Sequence, residues 1–580
     1  MPTKRLQIAK LTRPRLHKAV ARERLFALSD EARTHKPAIC VVGPPGAGKT
    51  TLVASWLDAR GIKGIWYQVD PGDADLATFF YYLGEATKPY TRKGQRPLPL
   101  LTPEYLQDVE GFCRRFFREL FARLPKGAAL VLDNYQEVAS EQQFHQVLAQ
   151  AVDEVPEGVA LIAISRRDPP DAYARLIANE NVRLVEWDAL KLTLEEARAI
   201  AGARLQLNEE DLSRLHEKSG GWAAGFTLLL EGSRRDEVST PGAGTGRDAL
   251  FDYFAAQIFS KIPRVRQEFL AATAYLPQVP VSTARELTRN ADTETILEDL
   301  YRRHLFTHRR PGGEPVYWFH ALFREFLLAQ ADLLWSGEQR REIQRRAALL
   351  LDARGQLEAA FDLLCQAQAW QEAEALVLRQ ASWLLGQGRG ETLRAWIGAL
   401  PEASVEFSAW LRYWLGVSLV PVDQTQARAQ LEGAFDTFRK SGDIVGQMRS
   451  ISSIIDTYFF EWSHWQPLDR WIEALEPLML ASPTYPSGEI EFDIHCSMLI
   501  ATLYRRPGHP LLQVCVERVT SLLETDLDVN RKVVGATLLL TFGNLASRPD
   551  FSQHIVAIAE PLLKQPGVTP LNRVDRKSVV

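Results

Sequence analysis

The sequence predicts a multidomain chain: an α/β domain on a parallel sheet, then a helical lid, a mixed helix-and-strand module, and an all-α solenoid. Three observations carry this. Between residues 37 and 190, short apolar runs without polar alternation recur between helical stretches, the pattern of buried parallel strands covered by helices on both faces. After about residue 190 such runs almost vanish. From about residue 336, Ala, Leu and Trp recur at helical spacing, and helices pair across short turns at irregular periods near the helical-repeat range. At 580 residues the chain is too long for one core, and about 150 residues per domain gives roughly four.

Residues 1–36 form a basic arm, with Lys4, Arg5, Lys10, Arg13, Arg15, Lys18, Arg22 and Arg24 among few acids. The plain expectation is a solvated arm or the face of a short helix; the alternative is that part of it folds over the site that follows. Pro37–Val42 reads as a strand, Gly43–Thr50 as a loop and Lys49–Ala59 as a helix. Ile65–Val69, Ala128–Leu132 and Val159–Ile164 read as further buried strands, with helices over Ala77–Leu83 and Tyr105–Ala122 between them. Residues 191–249 are expected to be a helical lid, with helices over Leu194–Gln206 and Asp211–Leu230, ending in a polar Gly- and Ser-rich linker at 233–249. Residues 250–335, several helices with one strand-like segment at Glu314–Phe319, suit a winged helix. Residues 336–574 read as a TPR-like solenoid, a plain helical bundle being the alternative.

Composition narrows the function. The chain is 46% hydrophobic and 24% charged, as ordinary globular proteins are. A formal net charge of -4 argues against a chain-wide nucleic-acid or membrane role, leaving a local basic patch open. Five widely spaced cysteines without a CxxC pair fit neither a zinc site nor a disulfide framework and suit a reducing, cytoplasmic compartment. No apolar run approaches the length needed to span a membrane, and the N-terminus lacks the apolar core of a secretory signal.

The sequence GPPGAGKT, Gly43 to Thr50, matches G-x-x-x-x-G-K-[ST] between a strand and a helix. Glycines here let backbone N–H groups turn inward around phosphates, and the helix presents its positive end to the same anion. Gly43, Gly46, Ala47, Gly48, Lys49, Thr50 and Thr51 are therefore the candidate nucleotide-binding residues. Lys49 is placed to reach the β- and γ-phosphates, and the Thr50 hydroxyl to ligate Mg²⁺. In ALVLDNYQEV, Asp133 ends an apolar run and is the second candidate Mg²⁺ ligand. In LIAISRRDPP, Arg166 follows another and can touch a γ-phosphate; a surface arginine paired with Asp168 is the plainer reading. Lys49, Asp133 and Arg166 are the candidate catalytic residues. The absence of an N-K-x-D motif from this domain favours adenine, so ATP or ADP with Mg²⁺ is the expected cofactor.

In this order the motifs resemble those of the MalT-like branch of the STAND NTPases. KLTRP…VARERL (Lys10–Leu25), IWYQVDPGDAD, VLDNYQEV, ISRRDPPDAYARL, LTLEEARAI, KSGGWAAGFTLLL and YWFHALFREFL are the segments that carry the likeness. The resemblance implies a switch: a closed ADP form, opened by an inducer on the solenoid together with ATP, which then self-assembles and regulates transcription. It places the arm, with Arg22, near the adenine, and sends His320 from the winged helix to the β-phosphate of ADP. A histidine held within Tyr317, Trp318 and Phe319 is the alternative for His320. Asn134 departs from the family, which commonly has a second acid there; an amide takes no proton from an attacking water, so turnover is expected to be slow, a timer for the switch, or confined to an assembled form. Glu137 is a weaker candidate for that base. The Gly220–Gly221–Trp222 turn is expected to be a helix break with Trp222 buried in the lid, and the solenoid tryptophans to be mostly core.

The chain ends on DRKSVV without a polar capping helix, from which a truncated reading frame with a non-native tail at 575–580 is expected, the DNA-binding output domain lying beyond it. Two other functions stay open: a signalling NTPase whose output is protein–protein assembly, and a housekeeping ATPase with rapid turnover.

Overall fold

The computed structural model describes the chain except for residues 1–7, 15, 17–18, 139–140, 203–206, 234–258, 260–261, 303–306, 311–313, 463, 482–483, 566–567 and 569–580. Most of the expected linker at 233–249, and the tail at 575–580, lie outside the described residues. The chain divides into two compact units, one of residues 1–91 and 109–369, the other of 92–108 and 370–580.

The first unit opens with α1 (Glu23–His35), β1 (Ala38–Val42) and α2 (Lys49–Ala59). Then come β2 (Gly64–Gln68), α3 (Leu76–Thr87), α4 (Val109–Phe121), β3 (Ala129–Asp133) and α5 (Gln142–Asp153). β4 (Ala160–Ser165), α6 (Ala174–Ala178), β5 (Val182–Val185) and α7 (Trp187–Leu190) complete the layer. The sheet is parallel in the order β2-β3-β4-β1-β5. β1, β3 and β4 are buried throughout, as strands covered on both faces must be. β4 therefore lies between β1 and β3, and the loops after all three leave the same edge of the sheet.

Among the arm's described residues, Glu23–His35 form a short helix with one buried face. Leu25, Phe26 and Ala32 of α1 join the core formed by Ile39, Val41, Leu52, Trp56 and Ile162. Apolar side chains on one face of a helix enter the core whatever the charge of the other face, and the arm's basic residues hid that face.

The lid follows: α8 (Leu194–Gly202), α9 (Glu209–Ser219) and α10 (Ala223–Ser233). The helical stretch 211–230 breaks at the expected Gly220–Gly221 turn, where Gly220 adopts the left-handed conformation that closes α9. The next module holds α11 (Arg264–Thr273), β6 (Val279–Pro280), α12 (Val281–Thr288), α13 (Thr293–Arg302), β7 (Thr307–Arg310), β8 (Val316–Phe319) and α14 (Ala321–Leu334). Its antiparallel sheet, β6-β8-β7, has three strands where one was expected.

From Gly337 to Leu563 every regular element described is a helix. In the second unit the helices Ala409–Leu419, Gln424–Ser441 and Ile444–Glu461 pack in succession. Gly446 permits this: a Cβ there would meet Phe438 Cδ1 at 2.4 Å. Trp396, Trp414 and Trp471 are core, whereas Trp383 and Trp462 are exposed. The first solenoid helices belong to the first unit, and residues 92–108 pack with the second; a Cβ on Gly388 would meet the Leu101 carbonyl oxygen at 2.2 Å.

Candidate nucleotide site

The loop after β1 has the conformation that only glycine tolerates well. Gly46 and Gly48 have φ of +76° and +83°, and Gly48 caps α2. Ala47 is buried, and Thr51 is half-buried on the first turn of the helix. The loop is held to its neighbouring strand by Gly43 N–H donating to the Ser165 carbonyl. Lys49 is buried, and its ammonium donates to the carbonyls of Gly43 and Pro44 at 2.6 and 2.9 Å. Burial first, and then the nearby Arg166 cation, push it down to about 8. A glycine cradle whose lysine folds back on loop carbonyls is the arrangement a polyphosphate fits: its oxygens replace those carbonyls and relieve the cation.

Thr50 Oγ1 donates to Asp133 Oδ1 at 3.2 Å, across the position of β4. Asp133 is buried; burial pushes its carboxyl up to about 6 against the Thr50 hydroxyl and the Asn134 N–H. Hydroxyl and carboxylate thus meet at one point, as two oxygen ligands of a hard cation must. Asn134 has φ +61°, a conformation asparagine adopts more readily than most residues. Glu137 is exposed and accepts from the Gln136 amide.

Arg166 emerges from β4, between the glycine loop and Asp133. Its backbone N–H donates to Gln136 Oε1, and its Nη1 lies 3.6 Å from Glu325 Oε1 of α14; the alternative pairing with Asp168 is not the one formed. His320 is half-buried and immediately precedes α14, with Tyr317 and Phe319 buried and Trp318 half-buried before it. Arg22 is buried, and its Nη2 donates to the Leu190 and Lys191 carbonyls and to Glu196 Oε2. It fastens α1 to the start of the lid beside Gly43, where an added Cβ would meet Leu190 Cδ1 at 3.0 Å; its Nε is buried without a hydrogen-bond partner.

One contact of the site escaped the sequence reading. Trp222 does not bury itself within the lid. Its Nε1 donates to the Pro45 carbonyl at 3.0 Å, and the Ala224 N–H donates to the Gly46 carbonyl at 3.1 Å. The lid closes directly on the glycine loop. The GGW turn was visible in the sequence, but a helix break looks the same whichever way its tryptophan points.

Residues 255–341 match the model of the MalT winged helix domain. The chain is 26% identical over 430 residues to the HTH-type transcriptional regulator MalT of Vibrio campbellii, covering 71% of this chain and 46% of that one. It is 28% identical to the MalT of Vibrio cholerae, covering 68% and 44%. The fold matches the crystal structure of a STAND protein with a tetratricopeptide repeat sensor from Pyrococcus horikoshii, with a TM-score of 0.67, 15% identity, and 96% and 79% of the two chains covered. Over most of its length the chain is similar to the MalT regulators, and its fold is similar to that STAND protein. The chain spans about half the length of the curated relatives it matches. Among its described residues, no helix is long and apolar enough to cross a membrane.

Proposed function

We propose that this MalT-like chain is a cytoplasmic nucleotide switch: it rests closed on ADP and opens when ATP and an inducer on the solenoid act together. The open form then self-assembles and regulates transcription through DNA contacts made by an output domain. The observation that carries this is the closed site itself, with the lid hydrogen-bonded to Pro45 and Gly46 and α14 paired to Arg166. Gly43, Gly46, Ala47, Gly48, Lys49, Thr50 and Thr51 bind the phosphates in this reading, and Thr50 and Asp133 hold Mg²⁺. The cation supplies charge neutralisation between phosphate oxygens. Arg22 frames the pocket, and His320 reaches the diphosphate end. Turnover is slow because Asn134 is no base.

Nucleotide released from the purified protein by denaturation and identified by chromatography tests this. Stoichiometric ADP is expected, and a Lys49→Ala variant should lose about thirtyfold or more in affinity. An empty site that turns over ATP freely overturns the switch.

A further inference from the structure

Arg166 and Lys49 are two cations at one site, close enough that Arg166 depresses Lys49. Each is held by something other than a phosphate. Lys49 uses loop carbonyls, and Arg166 uses Glu325. Glu325 stands on α14, whose Phe323, Phe326 and Leu327 are buried and whose Arg324 Nε donates to the Ala274 carbonyl at 2.7 Å. The carboxylate therefore travels with the winged helix.

The Arg166–Glu325 pair is weak by construction. Its side chains are 27% and 32% exposed and 3.6 Å apart, and pairs of that kind contribute little. A phosphate oxygen is a stronger partner for a guanidinium, which it can engage through two parallel bonds. A nucleotide's third phosphate would lie toward Arg166, at the end of the cradle defined by Lys49, Thr50 and Asp133. It would take the guanidinium and leave Glu325 facing like charge. A diphosphate brings no such competitor.

We infer that Glu325 is a specificity-determining residue, which by holding Arg166 makes the closed form favour a nucleoside diphosphate over a triphosphate. This rests on the nucleotide reading above and goes further, naming the residue that tells the two nucleotides apart. A state is favoured only through interactions that differ between ligands, and this pair supplies one.

The test is competitive displacement of a fluorescent ADP analogue from the full chain, with Mg²⁺, by ADP and by ATP. Glu325→Gln should tighten ATP about fivefold, the upper worth of a part-exposed ion pair, and move ADP less than about twofold. In an Arg166→Ala background the same substitution should leave the ATP-to-ADP ratio unchanged. An equal shift for both nucleotides, an unmoved ratio, or a shift that persists without Arg166 overturns the proposal. Thermal melting checks folding. Should the Gln variant not fold, Glu325→Asp, with a shorter reach, should shift the ratio from wild type toward ATP, and a wild-type ratio there would also overturn it. If the folded wild-type chain binds neither nucleotide, the nucleotide reading itself fails, an outcome distinct from those above.

Discussion

Lys10 shows how much of the arm's role rests on one side chain. Its Nζ lies 2.7 Å from Asp73 Oδ1 and 2.8 Å from Asp70 Oδ2. It sits 5.1 Å from the ring centroids of both Tyr67 and Tyr82. Tyr67 also donates to Asp73 at 2.7 Å. Asp70 and Asp73 cap their own helical turn, so the acidic motif after β2 is a socket for the arm. Burial raises the Asp73 carboxyl above its ordinary range, against the pull of Lys10. An acid whose folded pKa exceeds its unfolded value costs stability as pH rises through that interval. Removing Lys10 raises the Asp73 carboxyl further and widens the interval. Lys10→Met should therefore destabilise the first unit by about 3 kcal/mol at pH 8, the range for an uncompensated buried charge. The loss should be smaller at pH 5, where Asp73 can hold its proton. Chemical denaturation at the two pH values measures both, and a loss independent of pH would assign Lys10 a packing role only.

Among elements, the lid helix α10 is the one whose position was least legible. β1, α2, β3 and β4 could be placed to within a residue or so, because a short apolar run ending in glycine or a charge has few alternatives. β5 and β7 were not, since VRLV and THRR are short and carry charges that break the pattern; their partners β1 and β8 determine them. α4 begins at Val109 rather than Tyr105, because residues 92–108 are drawn into the second unit. The site was legible wherever it is contiguous, at Gly43–Thr50, and by order along the chain at Asp133 and Arg166. Contacts between distant segments, such as Trp222 on Pro45 and Glu325 on Arg166, depend on tertiary packing that no spacing encodes. The indole also fills space above Gly46 and Gly225, where added Cβ atoms would meet it at 3.0 and 2.6 Å. Trp222→Ala removes both the hydrogen bond and this packing. It should lower the stability of the closed site by about 3 kcal/mol and speed ADP release at least about tenfold, measured by chasing a labelled nucleotide. An unchanged release rate would mean that the lid does not gate the site.

At the scale of the whole molecule, the phosphate cradle, the lid and the winged helix all lie in the first unit, while the helices from Trp370 onward form the second with its own core. Chains built this way need not unfold as one cooperative block. A ligand that binds only the native state stabilises whatever must fold to make its site. ADP at a hundred times its dissociation constant therefore adds about 2.7 kcal/mol to the first unit, which slows amides exchanging through its unfolding about a hundredfold. Hydrogen exchange read by mass spectrometry separates the two possibilities peptide by peptide. β1, β3 and β4 should gain this protection, while Ile444–Glu461 and Gly488–Arg505 stay unchanged; Lys49→Ala should abolish the gain. Equal protection in both sets would mean that the two units unfold together. An inducer would then act on the nucleotide site through global stability rather than through a discrete rearrangement.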